Sequence, residues 1–292
     1  MKLHAAVLLF GAAGLFGPLL SLPPLATTAG RLFFSCLFLG LALLIRRRGA
    51  AGAAPFGIPG AKGKTTLRLA LLGLLLAFHW WSFFEAIRLS SVALGLLAFS
   101  TFPLFTALID PLVSRKPLSA FDIAKAALSM AGVGIVAPAF DLGDPQFQGL
   151  AWGMASGLSY AVLSIGNRGM VARLGSLKLA FSEQAFALAF LLPFALGLEL
   201  RLTLAELSLL ALLGLVFTGL SHSLFIDSLK VVRPQAASLA SALEPVYGIL
   251  FSALLLGQSP RAREVAGGLL IIAAIALPGK VPLGSLKKEK KE

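Results

Sequence analysis

The sequence predicts an all-α integral membrane protein whose ten transmembrane helices form two inverted five-helix repeats. Three observations predict it. Of the 292 residues 58% are hydrophobic and only 13% charged, with a mean hydropathy of +0.90, whereas a soluble domain is roughly a quarter charged. Apolar runs of about 20 residues, the length that crosses a bilayer, recur along the whole chain. A single shift of 142 residues lays one half of the chain on the other, Phe10-Gly11 falling on Trp152-Gly153. An ordinary soluble enzyme is excluded, and no independent soluble domain fits beside the spans.

The spans are expected at 3–20, 27–45, 68–88, 92–112, 119–139, 149–168, 176–198, 204–227, 235–256 and 262–278. Seven of their boundaries carry residues that stop helices or mark interfaces: Pro23-Pro24, Arg46-Arg47-Arg48-Gly49, Arg115-Lys116-Pro117, Asp141 to Pro145, Arg233-Pro234, Gln258-Ser259-Pro260 and Pro278-Gly279. The segment 49–63, rich in Gly, Ala and Pro, reads as a flexible linker. The first run follows Lys2 and could be mistaken for a leader with a cleavage site near Ala26-Thr27-Thr28-Ala29. Its counterpart in the second half argues that it is a span.

The net charge of +12 orients the chain. With the N-terminus cytoplasmic, most of the 25 Lys and Arg residues fall on the cytoplasmic side, leaving Arg88, Arg201, Arg261 and Arg263 outside and Arg31 within a span. The basic clusters flank apolar runs and form no stripe on a folded face, so nucleic acid is not an expected partner. The lone Cys36 lies inside an apolar run, which excludes an intramolecular disulfide.

The 142-residue shift also places Glu85 on Asp227, Arg88 on Lys230, Pro103 on Pro245 and Phe105 on Tyr247. The expected units are a first five-helix repeat at 1–140, a second at 145–280 and a basic cytoplasmic tail at 281–292. Five spans per half is an odd number, so the second half enters the membrane in the opposite direction, an arrangement that recurs in secondary transporters.

These residues resemble the drug/metabolite transporter superfamily, and specifically its EamA-type members with ten spans. The resemblance is carried by Phe10-Gly11 and Trp152-Gly153, by Arg31, and by the passage from Glu85 to Ala93 joining the third and fourth spans. Leu243-Glu244-Pro245-Val246 followed by Leu255-Leu256-Gly257 is similar to the pattern of amino-acid exporters of that family. Two positions depart from it: Gly257 is followed by Gln258 where many members have Glu, and the first half reads Ser114-Arg115-Lys116. The resemblance implies a bacterial-type inner-membrane transporter, exporting amino acids or related compounds by alternating access.

Ionisable residues at bilayer depth cost about 2.5–3.5 kcal/mol on insertion scales and so face a partner, water or the bundle interior. Arg31 either snorkels to the interface, attracts an anionic substrate group or sits in a buried pair. His79 beside Trp80 either lines a cavity or bonds a neighbouring helix, and the repeat sets His222 opposite Trp80. Glu244 precedes Pro245, whose missing N–H opens the helix; it is either a proton-carrying carboxyl or a carboxyl bonded at the break. Ser100 and Thr101 stand beside Pro103 at the related place, with Tyr247 one turn beyond Glu244. Tyr160, Ser164 and Asn167 follow i, i+4, i+7 spacing, a polar stripe that either walls a cavity or bonds between helices. Gly149, Gly153 and Gly157 on the same span read as close-packing positions.

The expected substrate-binding set is therefore Arg31, His79, Trp80, Ser100, Thr101, Tyr160, Ser164, Asn167, His222, Glu244 and Tyr247, with Glu244, His79 and His222 for proton coupling. No catalytic residue, metal site or cofactor is expected. Gly63-Lys64-Thr65 would need a glycine at position 58 to make a phosphate-binding loop, and Ile58 stands there. The expected partners are a small metabolite, the bilayer and protons, in a monomer or homodimer. The alternative is an integral-membrane enzyme acting on a lipid-linked or small polar substrate.

Overall fold

A computed structural model describes residues 1–48, 63–115, 120–241 and 243–277. Most of the expected linker and the whole of the basic tail lie outside these residues, as does Ile58. The described chain is helical without strands: α1 (Lys2–Ala13), α2 (Phe16–Leu19), α3 (Pro24–Arg48), α4 (Gly63–Leu89), α5 (Val92–Phe99), α6 (Phe102–Val113), α7 (Ala120–Val136), α8 (Pro145–Leu174), α9 (Ser176–Leu196), α10 (Leu204–Gly214), a π-helical turn (Leu215–Leu220), α11 (Ser221–Ser228), α12 (Pro234–Ser241), α13 (Glu244–Leu256) and α14 (Ala262–Ala276). Pro24, Pro145 and Pro234 each open a helix, where a missing N–H leaves no bond unmade. Asp144 Oδ1 accepts from the Gln146 N–H at 2.9 Å to cap α8, and Gly257 ends α13 in the left-handed conformation at φ 67°.

Among the described residues five stretches are long and apolar enough to cross a membrane: Pro24–Arg46, Gly63–Leu89, Val92–Val113, Ser176–Leu196 and Leu204–Ser228. Shorter apolar helices include Lys2–Ala13 and Glu244–Leu256. Several expected spans are broken inside, and proline supplies the reason in three of them. Pro18 has no N–H to continue α1, and Gly17 N donates to the Gly14 carbonyl in a tighter turn at 3.2 Å. Pro103 and Pro245 each stand second in a new helix, after interruptions at Ser100-Thr101 and before Glu244. In the stretch 204–227 the interruption is the π turn.

The packing repeats as the sequence does. The helices α3 and α9, at equivalent places in the two halves, pack on each other, as do the equivalent pair α7 and α14. The close approach of α8 to the end of α4 and to α5 explains its glycine stripe: a Cβ at Gly149 would lie 2.8 Å from Ser90 Cβ and 2.9 Å from the Ala86 carbonyl oxygen, and one at Gly157 2.9 Å from the Phe99 carbonyl oxygen. Polarity is reversed relative to a soluble protein. Arg31, His79, Glu183, Gln184, His222 and Glu244 are buried, while Leu41, Ile45, Leu71, Leu254 and Leu255 are exposed. Apolar residues outside and polar residues within is the distribution that a lipid environment requires.

Candidate substrate cavity

Where α1, α3, α4, α5, α8, α11 and α13 meet, a cavity is lined by Phe10, Ala13, Arg31, His79, Trp80, Phe83, Phe99, Tyr160, His222 and Glu244. Its base is α4. The Trp80 ring lies 4.3 Å beneath the Arg31 guanidinium and 5.4 Å from the His222 ring, edge on. Arg31 is the eighth residue of α3 counted from Pro24, too deep for the snorkelling expected of an interfacial arginine, and it is only 2% exposed. Its Nε donates to Thr218 Oγ1 at 2.8 Å, and Thr218 Oγ1 donates in turn to the Leu213 carbonyl at 2.7 Å. The π turn thus holds Arg31 in place. A guanidinium over two aromatic faces, Phe84 being the second at 5.4 Å, is a cation–π arrangement that stabilises a charge out of water.

Glu244 faces the same cavity, and its Oε2 is buried without a hydrogen-bond partner. Its place depends on Gly11: a Cβ there would lie 2.7 Å from the Glu244 carbonyl oxygen. Gly11 therefore lets α1 approach the start of α13 at backbone distance. Opposite, His79 Nδ1 lies 3.1 Å from the Ser156 carbonyl and 2.8 Å from Ser156 Oγ. The His79 ring stacks on Tyr160 at 4.6 Å and 26°, and the Tyr160 hydroxyl is buried without a partner. One wall is aromatic, and a cation and a carboxyl mark the polar ends.

The structure brings together six of the sequence-expected residues: Arg31, His79, Trp80, Tyr160, His222 and Glu244. It does not bring Ser100, Thr101, Ser164 or Tyr247 to the cavity lining. Ser100 Oγ donates to the Leu96 carbonyl at 2.7 Å, Thr101 Oγ1 to Ala98 at 2.7 Å and Ser164 Oγ to Ala161 at 3.3 Å. Each hydroxyl satisfies its own helix. Tyr247 packs by its Cβ against Gly11. Asn167 turns the other way, its Nδ2 donating to Glu183 Oε2 at 3.2 Å. Sequence reasoning missed Glu183 and Gln184, although an acid in the middle of an apolar run was the signal that singled out Glu244.

The cavity is small, about 30 Å³, room for about two or three waters when each takes about 10–15 Å³ of such volume. Two wide hollows open at one end of the bundle. One, about 650 Å³, is lined among others by Arg88, Ser90, Ser91, Gln258 and Arg261; the other, about 630 Å³, by Pro24, Thr27, Trp81, Phe84 and Glu85. Phe84 lies between the second hollow and Arg31. The opposite end is fastened by Asp227, whose carboxylate binds Lys2 Nζ at 2.6 Å, Lys230 Nζ at 2.5 Å and Ser176 Oγ at 3.0 Å. Among the described residues the repeat-related Glu85 pairs only with Arg88, on its own helix. There the repeat-related counterpart of Lys2 is Asp144, an acid, which caps α8.

A helical bundle with an apolar exterior, a repeated packing pattern and a charged central cavity defines a polytopic membrane protein of the transporter class. Comparison with protein families makes this specific: residues 3–137 and 147–278 both match the EamA-like transporter family, and the chain belongs to it. It is 21% identical over 281 residues to "Uncharacterized transporter YxxF" of Bacillus subtilis (strain 168), covering 95% of this chain and 88% of that one. It is 28% identical over 196 residues to an "Uncharacterized transporter" of Archaeoglobus fulgidus, covering 67% and 69%. With the "Uncharacterized inner membrane transporter YicL" of Salmonella typhimurium it shares 30% identity over 130 residues, 44% of this chain and 43% of the other. A crystal structure superposes with a TM-score of 0.67 at 18% identity, covering 100% of this chain and 98% of that one; the likeness is one of fold.

Proposed function

We propose that this protein is a secondary transporter of amino acids or related zwitterionic metabolites, with export as its direction, working by alternating access around the cavity. The observation that carries the proposal is the pairing of Arg31 and Glu244 in one aromatic-walled space. The guanidinium matches a substrate carboxylate, the Glu244 carboxyl matches an ammonium, and Phe10, Phe83, Phe99 and Tyr160 offer apolar faces to the remainder. A cavity of about 30 Å³ is far below the roughly 300–1,000 Å³ of ligand sites, so this geometry is read as a closed form that must widen to load. The broken helices, namely α5 and α6, α12 and α13, and the π turn before α11, are the places where it bends.

The reading extends to topology. The helices group into ten spans in two inverted halves, at 1–140 and 145–280, followed by the tail at 281–292, with both termini cytoplasmic in a bacterial-type inner membrane, as monomer or homodimer. On this orientation the fastened end at Asp227 faces the cytoplasm and the hollows face outward. Glu244, His79 and His222 are the cavity groups able to carry protons, and Ser100, Thr101, Ser164, Asn167 and Tyr247 contribute when the cavity widens.

The test is flux. Purified protein in sealed liposomes preloaded with unlabelled neutral amino acids is expected to accumulate labelled amino acid by exchange. No flux across a broad metabolite panel, together with turnover of a lipid-linked substrate, would favour the membrane-enzyme alternative and overturn the proposal.

A further inference from the structure

Behind the Trp80 wall lies a second polar cluster, centred on Glu183, a residue that the substrate-binding set does not include. Glu183 on α9 is completely buried, with Asn167 and His222 each 1% exposed beside it. Glu183 Oε2 lies 3.2 Å from His222 Nε2 and accepts from Asn167 Nδ2 at 3.2 Å. Three more atoms of the cluster, Glu183 Oε1, Asn167 Oδ1 and His222 Nδ1, are buried with no hydrogen-bond partner. Buried polar groups are ordinarily satisfied, and an acid at bilayer depth marks a functional position more often than a structural one. Here one acid meets one imidazole, with unused acceptor positions on both.

We propose that Glu183 and His222 form a proton-binding site that loads and releases a single proton and reports its occupancy to the cavity through Trp80. The unloaded pair is a carboxylate accepting the Nε2–H of a neutral imidazole. Loading adds one proton, to the unpartnered His222 Nδ1 or to Glu183 Oε1, and unloading returns it to water in the cavity; no other bond is made or broken. His222 lines the cavity and gives access, whereas Glu183 does not.

Two connections carry the signal. The Trp80 ring touches both His222 and the Arg31 guanidinium, at 5.4 and 4.3 Å. Thr218, which holds Arg31 Nε, belongs to the π turn that leads directly into His222; such turns interrupt the regular ladder and recur at functional sites. The titratable and charged groups facing the pair are Arg31 from α3, His79 from α4, Tyr160 from α8 and, across the cavity, Glu244 from α13. None of these four makes an ion pair with Glu183 among the described residues, whereas His222 lies 3.2 Å from it.

The proposal goes beyond the transport reading and holds for any substrate. It is tested on the full chain in detergent with Trp81→Phe and Trp152→Phe, leaving Trp80 as the only one of three tryptophans. Trp80 emission is followed against pH without substrate. Quenching along a single sigmoid is expected as His222 gains charge. That titration is lost in Glu183→Gln and His222→Gln, survives in His79→Gln and Glu244→Gln, and returns with a displaced midpoint in Glu183→Asp. A flat profile for the parent, survival in both Glu183→Gln and His222→Gln, or loss in His79→Gln would overturn the proposal. Should Glu183→Gln aggregate, the milder Asn167→Ala decides: removing one bond to Oε2 shifts the midpoint, and an unmoved midpoint refutes the site. A failed transport reading would instead leave this titration intact and show no flux in liposomes.

Discussion

Replacing Arg31 by lysine keeps the positive charge and removes the geometry. In the structure the guanidinium carbon stands 4.3 Å from the centre of the Trp80 ring while Nε donates to Thr218 at 2.8 Å, leaving the two terminal nitrogens for a ligand. A lysine ammonium offers neither the planar face nor a fork that can meet a carboxylate in two parallel bonds. A hydrogen bond to a charged group contributes about 1.5–3 kcal/mol, and losing one from the substrate complex raises the dissociation constant roughly 10- to 100-fold at about 1.4 kcal/mol per tenfold. Arg31→Lys in liposomes is therefore expected to raise the KM for labelled amino acid by that factor, and Arg31→Gln to raise it further. The free protein should suffer less from the first change, because the introduced ammonium still carries a charge that Trp80 can face. Equal KM values for wild type, Arg31→Lys and Arg31→Gln would refute the assignment of Arg31 to the substrate carboxylate.

Other consequences follow from the same contacts. Gly11→Val would push α1 off the start of α13, since a Cβ already meets the Glu244 carbonyl oxygen at 2.7 Å; overpacking of this kind costs about 1–3 kcal/mol, read as a lower melting temperature in detergent together with loss of exchange. Gly157→Val should lower the melting temperature similarly through the Phe99 carbonyl, and unchanged melting would contradict the close approach of α8 to α5. Asp227→Asn weakens the bonds to Lys2 and Lys230 at the fastened end. These ion pairs are partly exposed, so the loss is at most about 1 kcal/mol each, but a thiol introduced as Phe10→Cys in a Cys36→Ser chain should label faster from that side. Phe84→Ala removes the partition between the hollow and Arg31 and is expected to speed labelling of Ala13→Cys from the other end, at a stability cost of about 3–5 kcal/mol; an unchanged rate would argue against Phe84 as the barrier.

Much of this architecture was legible in the sequence, because apolar length and proline positions are local signals. Pro24, Pro103, Pro145, Pro234 and Pro245 all stand in the first turn of a helix, where the absence of an N–H is tolerated and the preceding residue is steered away from helix. The glycine stripe on α8 was legible for the same reason, since spacing alone puts it on one face. The division of polar residues between cavity and helix was less legible. Ser100, Thr101 and Ser164 share the chemistry of cavity hydroxyls, yet each finds a carbonyl three or four residues back, and sequence cannot say which acceptor is nearer. For Arg31 an interfacial reading stayed open beside the substrate and buried-pair readings because its helix was expected to start at 27, and the helix instead starts at Pro24, with Arg31 only 2% exposed. Glu183 was overlooked because its partners, Asn167 and His222, come from other helices. The π turn, set by Thr218 and its neighbours, carried no recognisable pattern at all.

The central claim is that the space between Arg31 and Glu244 is reached alternately from both sides of the membrane. Ala13 lines that space and is only 4% exposed, so Ala13→Cys in a Cys36→Ser chain places a thiol in it. In oriented vesicles, a membrane-impermeant thiol reagent applied to either face should label this cysteine, and a transported amino acid should slow labelling from both. Labelling from one face alone, whatever the substrate and however long the exposure, would contradict the account.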